Sequence, residues 1–164
     1  MLNKKIVKNV ICILILVITL TYLVNQKYNN YRYTSSSDYA YIIKKGPKEN
    51  NVIALTFDDG PHPIFTPMIL DILKEYNVKA TFFVLGKYVE MYPEIIKRQA
   101  EEGHEIGNHT FSHINANKES EEIVFEEFQK TETSINNITI PETKILRPPY
   151  GILNKKIINY ANKN

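Results

Sequence analysis

Two histidines, His109 and His113, are separated by Thr110-Phe111-Ser112, a spacing at which two imidazoles reach one metal ion from a turn or a helical face. Two adjacent carboxylates, Asp58 and Asp59, follow an apolar run, and one of them added to the histidine pair makes a two-histidine, one-carboxylate set. Such a set leaves coordination positions open for water and substrate, as a catalytic metal requires. Neighbouring side chains of an extended backbone point opposite ways, so one carboxylate is expected to bind metal while the other stays free as a general base. A divalent ion lowers the pKa of a coordinated water toward neutrality, so the chemistry implied is hydrolysis. Asp-Asp-Gly-Pro is also an ordinary turn sequence, and a histidine pair can be structural. A third polar set, Arg147 to Tyr150, argues against coincidence, because all three sets fall just after predicted strands.

Those strands must bring the three sets together. Val52–Phe57, Ala80–Leu85, Glu105–Asn108 and Lys144–Leu146 read as strands, the first two continuous enough to be buried on both faces. Ile69, Ile72, Leu73 and Tyr76 have helical spacing, with Thr66 as cap, Pro67 at the first helical position and Asn77 as the stop. A second helix is predicted from Pro93 to Gly103, a third on Val124, Phe128, Thr131 and Ile135, and a fourth from near Leu153. Four successive strand-helix units imply right-handed crossovers and a parallel sheet, either open and doubly wound or part of a (β/α) barrel. In either, the carboxyl ends of the strands share one face, where ligands bind.

The first fifty residues differ in kind. Lys4, Lys5 and Lys8 precede an uncharged stretch from Asn9 to Gln26, rich in Ile, Leu and Val. At about 1.5 Å per residue that stretch reaches roughly 27 Å, enough for one membrane-spanning helix. No small-residue cleavage pattern follows it, so an uncleaved signal anchor is expected, with the lysines cytoplasmic and everything after Asn25 outside. Cys12, the one cysteine, lies within this run and excludes an intrachain disulfide. Residues 26–50 are polar and Tyr-rich and read as a spacer, leaving 51–164 as a single domain.

Charge narrows the partners. Residues 1–50 hold eight Lys/Arg against two acids, and residues 51–164 hold twelve against sixteen, so the net +2 divides into +6 and −4. The densest charge cluster of the domain is acidic (Glu119, Glu121, Glu122, Glu126, Glu127), the opposite of what nucleic acid needs, and no nucleic-acid partner is expected.

Thr56-Phe57-Asp58-Asp59-Gly60-Pro61-His62, Gly107-Asn108-His109-Thr110-Phe111-Ser112-His113 and Arg147-Pro148-Pro149-Tyr150-Gly151 resemble three successive motifs of the polysaccharide deacetylase family, carbohydrate esterase family four. The resemblance implies a distorted (β/α) barrel, here incomplete and preceded by one N-terminal transmembrane helix. It implies that Asp59, His109 and His113 hold a divalent metal, most often zinc, and that Asp58 is the base, oriented by Arg147. The backbone N–H of Tyr150 is then the oxyanion donor, which Pro149, lacking an N–H, cannot be. His62 and His104 fall outside the ligand pattern and read as structural. Two further family motifs lack counterparts: a segment ending in Trp, in a chain with no Trp, and a Leu-x-His carrying the acid for the leaving amine, since no His follows His113. The chain is therefore expected to end before its catalytic domain is complete. The expected activity is N-deacetylation of a cell-surface polysaccharide, most naturally peptidoglycan N-acetylglucosamine, by a single-pass protein of the cell membrane with its domain outside. The alternative is a catalytically impaired anchored module that binds metal or glycan.

Overall fold

The computed structural model describes residues 52–139 and 143–163, together with 42–46 and the isolated positions 19 and 21. All regular elements below fall within one compact unit, Tyr39–Asn164. No helix among the described residues is long and apolar enough to cross a membrane. The apolar run expected to form an anchor lies outside them, apart from Thr19 and Thr21, as does most of the spacer.

Strand β1 (Thr56–Gly60) leads to helix α1 (Phe65–Glu75), β2 (Thr81–Val84), the short α2 (Gly86–Met91), α3 (Pro93–Glu101) and β3 (Glu105–Asn108). Helix α4 (Glu121–Asn136), a 3₁₀ turn (Pro149–Gly151) and α5 (Lys155–Lys163) follow. The sheet is parallel, in the order β1-β2-β3, and it is not closed. A single parallel bridge from Asn108 to Leu146 continues it at the position of the fourth predicted strand. The order never reverses, so the described sheet has no switch point of the kind that defines a doubly wound fold.

The strands are short because their pairing is. The register sets Thr56 opposite Thr81, so residues before Thr56 extend past the start of β2, where the chain has just left the α1 turn at Asn77. The predicted strand Val52–Phe57 is corrected accordingly: it begins four residues later and runs through Asp58 and Asp59. Val52 and Ile53 are exposed (68% and 92%), not buried on both faces. One bond, from the Thr81 N–H to the Leu55 carbonyl at 3.0 Å, marks the end of the pairing.

Alternation along β2 divides the core. Phe82 and Val84 join Leu70, Leu73, Val89, Ile96, Ile106 and Ile135 beneath the helices. Phe83 points the other way, against Gly107 of β3. A Cβ on Gly107 would lie 2.5 and 2.6 Å from the Phe83 ring atoms and 3.1 Å from Ile145, closer than side chains pack. Gly107→Ala is expected to cost about 1–3 kcal/mol through this overpacking, measurable as a shift in the denaturation midpoint at unchanged m-value. A second cluster, Val124, Phe128, Ile157 and Tyr160, seats α4 against α5.

Helix α1 starts earlier than expected. Its N-cap is Ile64, and Thr66 lies inside the first turn rather than capping it. The orphan N–H groups of Ile64 and Phe65 instead donate to Nδ1 of His62, each at 3.2 Å, and the Thr66 hydroxyl accepts from the His62 N–H at 2.8 Å. An imidazole has taken the capping role.

Candidate metal centre

The carboxyl ends of β1 and β3 and the segment after Leu146 meet on one side of the sheet, and the predicted site residues meet with them. Register fixes how β1 contributes. Phe57 pairs with Phe82 and Gly60 with Val84, so β1 carries one residue more than β2 across this interval. The extra residue is accommodated at Asp59, in the left-handed region at φ 66°, which Asp tolerates better than most side chains. Two adjacent carboxylates thereby reach one neighbourhood, where straight alternation along the strand would send them to opposite faces. Because of this bulge, Asp59 faces the two histidines while Asp58 faces Arg147.

His109 leaves β3 buried, with 4% of its side chain exposed, and its N–H donates to the Val84 carbonyl at 3.0 Å. Its Nδ1 lies 2.6 Å from the Arg147 carbonyl oxygen. A carbonyl only accepts, so Nδ1 carries the hydrogen and the lone pair is on Nε2. Burial pushes the His109 pKa down, against the opposing influence of the Arg147 carbonyl and of Asp58 and Asp59, which favours the neutral ring. The Nε2 lone pair faces Oδ1 of Asp59 at 3.4 Å, and Nε2 of His113 stands 3.2 Å from the same oxygen.

Among the described residues, Asp59, His109 and His113 are the group whose ligand atoms all lie within 4.8 Å of one another. A neutral imidazole lone pair directed at a carboxylate oxygen leaves electron pairs facing each other with no proton between them. A cation relieves that arrangement, and the donor set of two nitrogens and one oxygen suits a divalent transition metal.

Asp58 is held apart from the triad. Its Oδ1 accepts from Arg147 at 2.6 Å, and the same guanidinium nitrogen donates to Thr56 Oγ1 at 3.0 Å. The guanidinium carbon sits 4.0 Å over the Phe83 ring, so an ion pair, a hydroxyl and an aromatic face fix one side chain. Tyr150 is 65% exposed with φ 60°, and its ring meets His113 edge-on at 4.8 Å between centroids. All six residues singled out from the sequence are thus in one neighbourhood.

The remaining histidines have framework contacts. His62 caps α1 and stacks on Phe65 at 4.6 Å between centroids. Nδ1 of the buried His104 accepts from the Ala80 N–H at 3.2 Å, and the ring packs edge-on against Phe82. Sequence reasoning missed Asn108, whose side chain donates to the Phe128 carbonyl at 2.7 Å and accepts from the Thr110 N–H at 3.0 Å, joining β3, α4 and the ligand loop. An Asn immediately before His109 was the available signal.

A family model described as polysaccharide deacetylase matches residues 45–164. A peptidoglycan-N-acetylglucosamine deacetylase of Bacillus cereus is 48% identical over 125 residues, covering 76% of this chain and 45% of that protein. The peptidoglycan-N-acetylmuramic acid deacetylase PdaC of Bacillus subtilis is 44% identical over 117 residues, covering 68% of this chain and 25% of its own length. A crystal structure of a peptidoglycan N-acetylglucosamine deacetylase matches with a TM-score of 0.69 at 47% identity, over 72% of this chain and 55% of the other. The chain thus spans about half, or less, of the length of these relatives. With the model match extending over most of its length, it belongs to the polysaccharide deacetylase family.

Proposed function

We propose that this chain carries the metal-binding and base-bearing part of a peptidoglycan deacetylase that hydrolyses the N-acetyl group of N-acetylglucosamine. The observation that carries this reading is the convergence of Asp59, His109 and His113, with Asp58 held beside them by Arg147. We read the open parallel sheet as an arc of a distorted (β/α) barrel, and the run from Asn9 to Gln26 as a single anchor holding the domain outside the cell membrane. Support for the substrate comes from the relatives named above, and support for the anchor from the lysines ahead of an uncharged stretch long enough to span.

Asp59, His109 and His113 would hold the cation, and zinc suits a site of two imidazoles and one carboxylate. When bound, that cation supplies Lewis acidity toward a water and toward the acetyl carbonyl. The chain's own residues do the rest. Asp58 Oδ takes the proton of the attacking water, and Arg147 holds that carboxylate in place through the 2.6 Å hydrogen bond. The N–H of Tyr150 donates to the oxygen on which negative charge develops. Protonating the departing amine requires a further acid, for which the family uses a Leu-x-His segment.

The test is acetate release from N-acetylglucosamine oligomers by the full-length chain, before and after chelation and re-addition of zinc. Release that stops on chelation and returns with zinc is expected. Hydrolysis indifferent to chelation, or glycan retention with no acetate released, would sink the proposal.

A further inference from the structure

The two histidines of the triad are held differently. His109 has a partner on its second ring nitrogen, the Arg147 carbonyl. Among the described residues, no hydrogen bond reaches the corresponding nitrogen of His113, whose ring meets Asp59 through Nε2, the edge of Tyr150 and, tilted, the His109 ring at 5.3 Å between centroids. Ligating histidines nearly always use that second nitrogen to fix their orientation. The aim of His113 therefore depends on its backbone.

That backbone is one the chain does not adopt freely. Thr110 has φ 69° and His113 has φ 66°, both in the left-handed region and neither a glycine. Such residues persist only where their surroundings over-determine them. Near β3 the loop is tied by the Thr110 and Phe111 carbonyls, which accept from Gly86 and Lys87 at 3.0 and 3.1 Å. The His113 N–H donates to Thr110 Oγ1 at 3.1 Å, a tie within the loop itself. The residue between, Ser112, is gripped from outside: its N–H donates to Glu127 Oε2 and its hydroxyl to Glu127 Oε1, both at 2.7 Å. Glu127 is well placed to grip, since Phe128 beside it is buried and its carbonyl takes the Asn108 side chain.

We infer that Glu127 is the positioning residue for the second histidine ligand: by clamping Ser112 with both carboxylate oxygens, it presets the His113 imidazole toward Asp59 and His109. Helix α4, which contributes no ligand, thereby governs affinity for the divalent cation. This inference rests on the metal reading proposed above.

The experiment is zinc titration of the full-length chain against a chromophoric chelator, with the cobalt(II) absorption spectrum as a second readout. Glu127→Ala is expected to weaken binding about 10–100-fold and to alter the cobalt spectrum, with the melting temperature of the metal-free protein unchanged. Glu127→Gln separates position from charge, because its amide oxygen still accepts from the Ser112 N–H and its NH₂ can donate to the hydroxyl. It should restore most of the affinity. Ser112→Ala, which keeps the backbone bond, should give an intermediate loss, and it decides the matter if Glu127→Ala does not fold. Full affinity in Glu127→Ala, or in Ser112→Ala where that variant decides, overturns the inference, as does a Gln variant as weak as the Ala variant. A parent chain that binds no zinc overturns the metal reading itself, and the inference with it.

Discussion

His109→Ala and His113→Ala should each abolish zinc binding at micromolar protein, while differing in what they do to the fold. Losing a ligand removes a direct bond to the ion, so each loss should exceed the roughly 10–100-fold that an outer partner is worth. The side chain of His109 is 4% exposed and donates to the Arg147 carbonyl, so its removal also leaves a cavity and a part-buried acceptor without its donor. About 1–3 kcal/mol of stability should go with it. The side chain of His113 is 27% exposed and has no such bond among the described residues, so His113→Ala should leave metal-free stability nearly unchanged. Isothermal titration paired with denaturant unfolding reads both quantities. A His113 variant that still binds zinc at parental affinity would refute the ligand assignment without the ambiguity of a damaged fold.

Asp58→Asn should leave metal affinity close to that of the parent and lower hydrolysis by ~10²–10⁴-fold. The amide retains an oxygen for Arg147 but cannot take a proton from water, and Asp58 is not among the three converging ligand groups. An activated aryl acetate is the substrate of choice for this measurement. Its leaving group departs without protonation, so the rate reports on the base alone and does not require the Leu-x-His acid. Equal loss of zinc binding and turnover would mean that Asp58 is a ligand and that the two carboxylates had been assigned the wrong way round.

How far the sequence discloses this site depends on whether a feature is local. β3 was legible from Glu105 to Asn108, and α4 from the spacing of Val124, Phe128, Thr131 and Ile135, all four of which are buried. The ends of the strands were legible as the meeting place because parallel topology leaves little choice. The start of β1 was not, since Val52 and Ile53 are as apolar as buried residues and only the register with Thr81 leaves them unpaired. The bulge was hidden for the same reason: nothing in Asp58-Asp59 says that the partner strand is one residue shorter across the gap. Four residues of the site neighbourhood, Asp59, Thr110, His113 and Tyr150, have positive φ without being glycine, so backbone propensity would have predicted otherwise at each. The short α2 carries too few residues for a period to register. The His62 cap lay outside the usual Ser, Thr, Asp or Asn signal for a helix start.

Arg147 joins the two halves of the site by unequal means. Its carbonyl steadies His109, and its guanidinium steadies Asp58. Any amino acid at this position supplies the carbonyl, whereas only arginine supplies the guanidinium. A single codon change at this position therefore releases Asp58 while leaving the carbonyl that fixes the His109 tautomer. Residue 147 is therefore the position at which the aim of Asp58 can be separated from the tautomer of His109.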